Sequence, residues 1–330
     1  MTARMAAWRR ETYGPADGVA LERLPLPQPH HGEVLLRVRA TALNAGDVRL
    51  LLGDPLLVRP AFGLTRPKHP VRGMEVVGTV VGVGPDVVGA ELDEHVVGEL
   101  VGGGGLAEYV RVPAARLVPL PPGVEPEVAA TLPVAGGTAW QALDLGGVGL
   151  HGGTPRVLVI GASGGVGTFA VQLAALRGAE VWASCRDRNQ PLIERLGAVR
   201  TFDHRVTPLR ELPAGHFDAI IDVAGGIPLR QLQRLVVPGG RVVLVTGDGG
   251  PVLGPIPRML RAVVLSLGSR RLRPLAATPR PEVLARLLEL VADGSLVPVI
   301  AETYDFAGAG AALARLQEGH VVGKLVVRGT

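Results

Sequence analysis

The chain has 330 residues, of which 47% are hydrophobic, and its 34 basic and 30 acidic side chains leave a net charge of +4. That length allows two domains with separate cores, and no apolar run reaches the roughly 18 to 20 residues of a membrane span. The single cysteine, Cys185, excludes a disulfide framework and a thiolate zinc site and fits a reducing, cytoplasmic setting, with no signal-like segment in Met1–Arg10.

The first predicted strands are Val34–Ala40, Val76–Val83 and Glu108–Val112, separated by Pro and Gly turns as in a compact β domain. A Pro-rich stretch from Pro119 to Val128 marks a boundary. A helical stretch follows from Pro126 to Gly146, broken around Pro133 to Gly137. The next run, Arg156-Val-Leu-Val-Ile-Gly-Ala-Ser-Gly-Gly-Val-Gly-Thr168, reads as a buried strand, a glycine turn and a helix start, with the helix continuing from Val166 to Arg177.

That layout suits a dinucleotide phosphate. Gly161, Gly164, Gly165 and Gly167 let the backbone turn tightly, and Ser163 to Val166 offer their N–H groups at the head of a helix. Strands at Glu180–Cys185, Phe217–Val223 and Gly240–Thr246 alternate with helical stretches, so the fold class is α/β with a doubly wound parallel sheet. A helix at Leu284–Asp293 and a strand at Lys324–Val327 close the chain. A nucleotide domain in mid-chain implies that the flanking pieces associate into one discontinuous domain.

Several motifs in order resemble the medium-chain dehydrogenase/reductase superfamily, in its zinc-free quinone oxidoreductase branch. They are Tyr13-Gly-Pro, Asn44-Ala-Gly-Asp47, Gly73-Met-Glu-Val-Val-Gly78, Gly104-Gly-Leu-Ala-Glu-Tyr109, Leu132-Pro-Val-Ala-Gly-Gly-Thr138, Gly161 to Gly167, and Gly319-His-Val-Val-Gly-Lys-Leu-Val326. The resemblance implies a GroES-like catalytic domain in residues 1–125, a Rossmann NADP-binding domain in 126–265 and a return to the catalytic domain in 266–330. Zinc-dependent relatives carry Cys at the position of Asn44, His at that of Met74 and usually Cys near Val134. The residues here are poor zinc ligands, so no metal is expected.

NAD-dependent members place an acid at the end of the second strand of the sheet. Here that end reads Ser184-Cys-Arg-Asp-Arg188, and Arg186 and Arg188, with Ser184, suit the 2′-phosphate of NADPH. Asp187 is the competing residue for an NAD reading. By motif position Thr138, Ala224 and Thr246 line the cofactor cleft, and Lys324 reaches a phosphate. The implied reaction passes hydride from NADPH to a quinone or an α,β-unsaturated carbonyl. Asn44 donates an amide hydrogen bond, Asp47 fixes the turn, and Arg49 stands where some relatives have Tyr.

Two alternatives share the same cofactor motif: a biosynthetic, polyketide-type enoyl reductase and a non-catalytic NADPH-binding or sensing protein. In the first, the cluster Arg258, Arg261, Arg270, Arg271 and Arg273 serves a carrier or coenzyme phosphate. No aromatic residues interleave that cluster, so no nucleic-acid partner is expected, and with no membrane span no membrane partner either. His69, His95 and Tyr109 read as loop or structural residues, and Cys185 as core packing. The resemblance also implies a homodimer joined at the edges of the nucleotide domains, with Val242–Val245 as a compatible strand.

Overall fold

The computed structural model describes residues 3–150, 152–245, 250 and 252–330. The chain divides into two compact units, the first formed by residues 1–137 and 279–330, the second by residues 138–278.

The first unit opens with an antiparallel pair, β1 (Arg4–Arg9) and β2 (Ala20–Pro25). Then come β3 (Glu33–Leu43), helix α1 (Ala45–Leu52), β4 (Glu75–Val83), β5 (His95–Glu99), β6 (Tyr109–Pro113) and β7 (Leu117–Pro119). Val34, Leu36 and Val38 alternate inward along β3 and meet Val76, Val80, Val96, Val110 and Val112, the period of two expected of a half-buried strand. This apolar layer holds the sheet together.

The second unit contains six parallel strands: β8 (Arg156–Ile160), β9 (Glu180–Ser184), β10 (Arg200–Phe202), β11 (Phe217–Asp222), β12 (Val236–Leu244) and β13 (Arg271–Pro274). Helix α2 (Gly165–Leu176) follows β8, and α3 (Ile256–Leu265) joins β12 to β13. The spatial order is β10-β9-β8-β11-β12-β13, with every neighbouring pair parallel. This is the doubly wound dinucleotide-binding order, and its direction reverses between β8 and β11. Phe217, Ile220, Leu232, Leu235 and Val242 fill its core, with Trp182 edge-on to Phe217 at 5.3 Å between ring centres.

The chain then returns to the first unit through α4 (Pro281–Ala292), β14 (Ile300–Tyr304), α5 (Ala309–Glu318) and β15 (Lys324–Arg328). The larger sheet runs β14-β15-β3-β4-β5-β7, with β6 also paired to β3.

Two sequence expectations need correction. The unit boundaries fall later than 125 and 265. The helical turns at Pro126–Ala129 and Leu132–Gly136 belong to the first unit, where the Val134 N–H donates to Glu75 Oε1 at 2.7 Å, and β13 completes the nucleotide sheet. Val242–Val245 offers no free edge, because β12 is paired on one side with β11 and on the other with β13. The short, arginine-flanked β13 has no hydrophobic alternation to betray it.

Gly167 explains the tightness of the β8–α2 turn: a Cβ there would stand 2.2 Å from the Gly161 carbonyl oxygen, whereas one at Gly164 meets nothing nearer than 3.6 Å. Gly167→Ala is therefore expected to lower the unfolding free energy by about 1 to 3 kcal/mol through overpacking, and Gly164→Ala by much less. Urea denaturation of the two variants measures the difference.

Candidate active site

In the first unit the sheet register assembles a buried polar cluster. Leu325 on β15 lies opposite Leu43 on β3, which sets Lys324 beside Asn44, the residue that starts α1. Lys324 Nζ lies 2.7 Å from Glu75 Oε2 and 2.5 Å from Asn44 Oδ1, and Asn44 Nδ2 donates to Glu75 Oε2 at 2.8 Å. The Lys324 and Glu75 side chains are 2% and 0% exposed. Asn44 is half-buried.

These partners fix the amide orientation. An ammonium only donates, so it faces Oδ1; a carboxylate only accepts, so it faces Nδ2. One hydrogen of Nδ2 goes to Glu75. The second N–H of that amide is the group the cluster leaves for an outside acceptor.

Asp47 is fully buried and works as a turn anchor. Its Oδ2 accepts the Asn44 N–H at 2.9 Å and its Oδ1 the Gly73 N–H at 2.8 Å, tying the start of α1 to the chain before β4. Burial raises its pKa to about 6 against the lowering effect of those two amides. With both oxygens engaged inside the fold, it is a positioning group and not a reacting one. Arg49 is half-buried in the last turn of α1, with its carbonyl accepting the Asp54 N–H at 3.1 Å.

Lys324 needs the larger correction. The sequence suggested a phosphate contact, yet its ammonium is buried and committed to Glu75 and Asn44. Glu75 was not singled out at all; its sign in the sequence is a lone acid between Met74 and the apolar run Val76-Val77, a charge in a strand interior that must find a partner. Glu99 on β5 is the register partner of Glu75 on β4. Burial, reinforced by the negative charge of Glu75, raises Glu99 to about 7.

The donor set does not fit zinc. Asn44 and Met74 stand at two of the expected ligand positions, and the one carboxylate between them is taken by an ammonium and by the Val134 N–H. Among the described residues no group of three or more His, Cys, Asp or Glu side chains could hold a metal ion.

In the second unit the glycine turn lies at the topological reversal between β8 and β11. Gly161 has φ +80°, a conformation that glycine adopts freely, and a Cβ would come within 3.0 Å of the Ala224 nitrogen. Gly164 begins α2 without a side-chain cap, and Ser163 to Val166 are half-exposed while Gly167 is buried. A helix head presenting backbone N–H groups beside small residues is a cradle for a pyrophosphate. Thr138 is half-buried and Ala224 exposed; Thr246 lies outside the described residues.

At the end of β9 the strand stops at Ser184, which is buried, before Arg186 and the exposed Arg188. Asp187 falls in a short helical turn past the strand end, with its N–H given to Asp203 Oδ2 at 3.0 Å. Asp203, not anticipated from sequence, also accepts Arg205 Nη2 at 2.5 Å, and Arg205 holds its carboxyl far below the ordinary range. It anchors the arginine-bearing loop from beneath. Cys185 is buried, and burial pushes its thiol up to about 11, so it is no ready nucleophile.

A discontinuous GroES-like unit around a doubly wound nucleotide unit defines a medium-chain dehydrogenase/reductase. The profile of the alcohol dehydrogenase GroES-like domain matches residues 30–122, and that of the zinc-binding dehydrogenases matches residues 196–327. The chain is 35% identical to a chloroplast envelope quinone oxidoreductase homolog of Arabidopsis thaliana, over 98% of each protein. It is 30% identical to a 2-methylene-furan-3-one reductase of Solanum lycopersicum, over 98% of this chain and 79% of that one. A quinone oxidoreductase structure from Coxiella burnetii superposes with a TM-score of 0.88 at 26% identity, over 99% of this chain and 100% of the other. The chain belongs to the quinone oxidoreductase family of the medium-chain dehydrogenases/reductases, whose members are oxidoreductases working with a nicotinamide cofactor.

Two stability measurements test the polar cluster. Lys324→Met leaves a buried carboxylate without its counter-charge and is expected to cost about 3 to 5 kcal/mol, much of it recovered by adding Glu75→Gln. A double-mutant cycle in urea reads this coupling. Because the folded pKa of Glu99 is raised from 4.5 to about 7, its contribution to stability is full below pH 4.5 and is lost as pH rises through 7. Glu99→Gln, which cannot ionise, should therefore gain on the natural protein by about 1 to 3 kcal/mol across that window.

Proposed function

We propose that this protein is an NADPH-dependent reductase that delivers hydride to a quinone or to the β-carbon of an α,β-unsaturated carbonyl. The observation that carries the reading is the glycine cradle at the head of α2, placed where the strand order reverses. Bound there, the reduced nicotinamide supplies the hydride. Gly161, Ser163, Gly164, Gly165 and Val166 are the residues proposed to hold its pyrophosphate, with Thr138 and Ala224 lining the site.

The phosphate preference rests on the end of β9. No acid stands at the strand terminus, and Asp187 is carried past it into a separate turn. Arg186 and Arg188 supply guanidinium groups in that loop, as a 2′-phosphate requires. Asp203 holds the loop and is itself neutralised by Arg205.

At the acceptor, Asn44 donates the second hydrogen of Nδ2 to the oxygen that gains negative charge. Lys324 and Glu75 keep the amide from flipping, so that the carbonyl end never faces that oxygen. Fixed donors of this kind stabilise a developing oxyanion without reorganising. Arg49 adds a positive charge to the same helix, and water supplies the proton, there being no Tyr at position 49. The acceptor class follows the printed names of two relatives, a quinone oxidoreductase homolog and a methylene-furanone reductase.

The enoyl reductase alternative depended on an arginine entry for a carrier phosphate, and one of its members is engaged elsewhere: Arg258 pairs with Asp222 Oδ2 at 3.3 Å. The test is oxidation of NADPH and of NADH, followed by absorbance, with quinones and 2-enals as acceptors. NADPH is expected to be preferred, and Arg186→Ala with Arg188→Ala to reduce that preference by about tenfold to hundredfold. Asn44→Ala is expected to lower kcat by about a hundredfold or more with NADPH binding retained. Tight NADPH binding without turnover on any acceptor would replace the reductase reading with a sensing role.

A further inference from the structure

The first unit holds a cavity that none of the residues assigned to the reaction lines. It measures about 440 Å³ and lies among β1, β2, residues 68–71, the end of β5 with the loop that follows, and β6. That volume falls within the range of small-molecule sites, about 300 to 1,000 Å³. Met5, Leu24, Leu100, Val101, Tyr109 and Val110 give it apolar wall. Glycine keeps it open. Gly103 and Gly104 have φ +118° and +129°, and a Cβ on them would stand 2.4 Å from the Val71 carbonyl oxygen and 2.8 Å from Val110 Cγ2. The loop is pressed onto its neighbours at two positions that bring no side chain to fill the space.

The charged groups of the wall favour one sign. Its cations are Lys68, Arg111 and Arg116, and its acids are Glu33 and Glu99. Glu33 is already engaged, since Oε2 accepts the His30 N–H at 3.1 Å and lies 3.7 Å from Arg111 Nε. Glu99, raised to about 7 by burial and by Glu75 against the opposing charge of Arg116, is close to half protonated at neutral pH. Lys68 gives one of its three donors to the Ala61 carbonyl at 2.9 Å. Among the described residues the Arg111 and Arg116 side chains make no hydrogen bond. Partial burial and then the charges of Arg72, Lys68 and Arg111 hold His69 below its ordinary pKa, so cations converge on that corner of the wall.

We propose that this cavity is a binding site for an amphipathic organic anion, a carboxylate carried on an apolar chain. The carboxylate meets Arg111 and Lys68, whose N–H groups are the donors such a group takes, and the chain lies along Met5, Leu24 and Val101. An organic cation finds no such reception. Glu33 is held by an amide and a guanidinium, and Glu99 carries only part of a charge.

Isothermal titration calorimetry of the full chain with octanoate tests the site, beside acetate and octylammonium. One octanoate per chain is expected to bind, acetate at least about tenfold more weakly for want of the apolar chain, and octylammonium not at all. The double variant Lys68→Gln, Arg111→Gln should weaken octanoate by about tenfold or more. Val101→Trp, which fills the space, should abolish its binding. Lys68, Val101 and Arg111 are all exposed, and melting temperature and cofactor oxidation should stay unchanged in these variants. Absence of octanoate binding overturns the proposal. So does binding that the variants leave intact, which places the acid elsewhere, and so does equal binding of octylammonium, which makes the cavity indifferent to charge.

Discussion

A buried ammonium that must meet a buried carboxylate is the constraint on which the first unit depends. Lys324 comes from the last strand, Glu75 from the middle of the sheet and Asn44 from the start of α1, while the Val134 amide arrives from the turn that precedes the second unit. With water excluded, Lys324 and Glu75 find their partners in each other, in Asn44 and in the Val134 amide. The beginning and the end of the chain are therefore closed by one polar contact set as well as by the apolar contact of Leu43 with Leu325 and Val327. Breaking a buried pair costs more than forming it contributes, which makes such a cluster a device of specificity more than of net stability.

The same cluster converts a position of metal chemistry into one of hydrogen bonding. At the positions where the resemblance sets Cys and His in zinc-dependent relatives this chain has Asn44 and Met74, and beside Asn44 a carboxylate is closed by a lysine. The positive charge stays, but on a group that donates protons in fixed directions and accepts no ligand. Asp47 contributes at one remove, by pinning the peptide that carries Asn44 to the peptide of Gly73.

Arginine is the dominant cation, and its roles divide by surroundings. Arg258 is drawn inward by Asp222, Arg205 is spent on Asp203, and Arg177 stacks on Trp140 while pairing with Asp144. Arg261, Arg271 and Arg273 remain exposed. Composition alone treats these side chains as equivalent. Only the carboxylates within reach of each tell them apart.

The sequence by itself determined the local elements and their class. Short apolar runs bounded by Pro and Gly turns marked β3, β4 and β6, and the glycine spacing from 161 to 167 marked the strand, turn and helix of the nucleotide unit, because these depend on backbone sterics and on neighbours a few residues away. It also placed Asn44 and Asp47 in one turn. What only the tertiary structure decided was pairing over long separations: that Lys324 serves Glu75 and not a phosphate, that β12 is an interior strand, and that Asp203 underlies the loop of Arg186. A charge or an apolar stripe states that it needs a partner, but which partner it meets is fixed by strand register and packing between residues far apart in the chain.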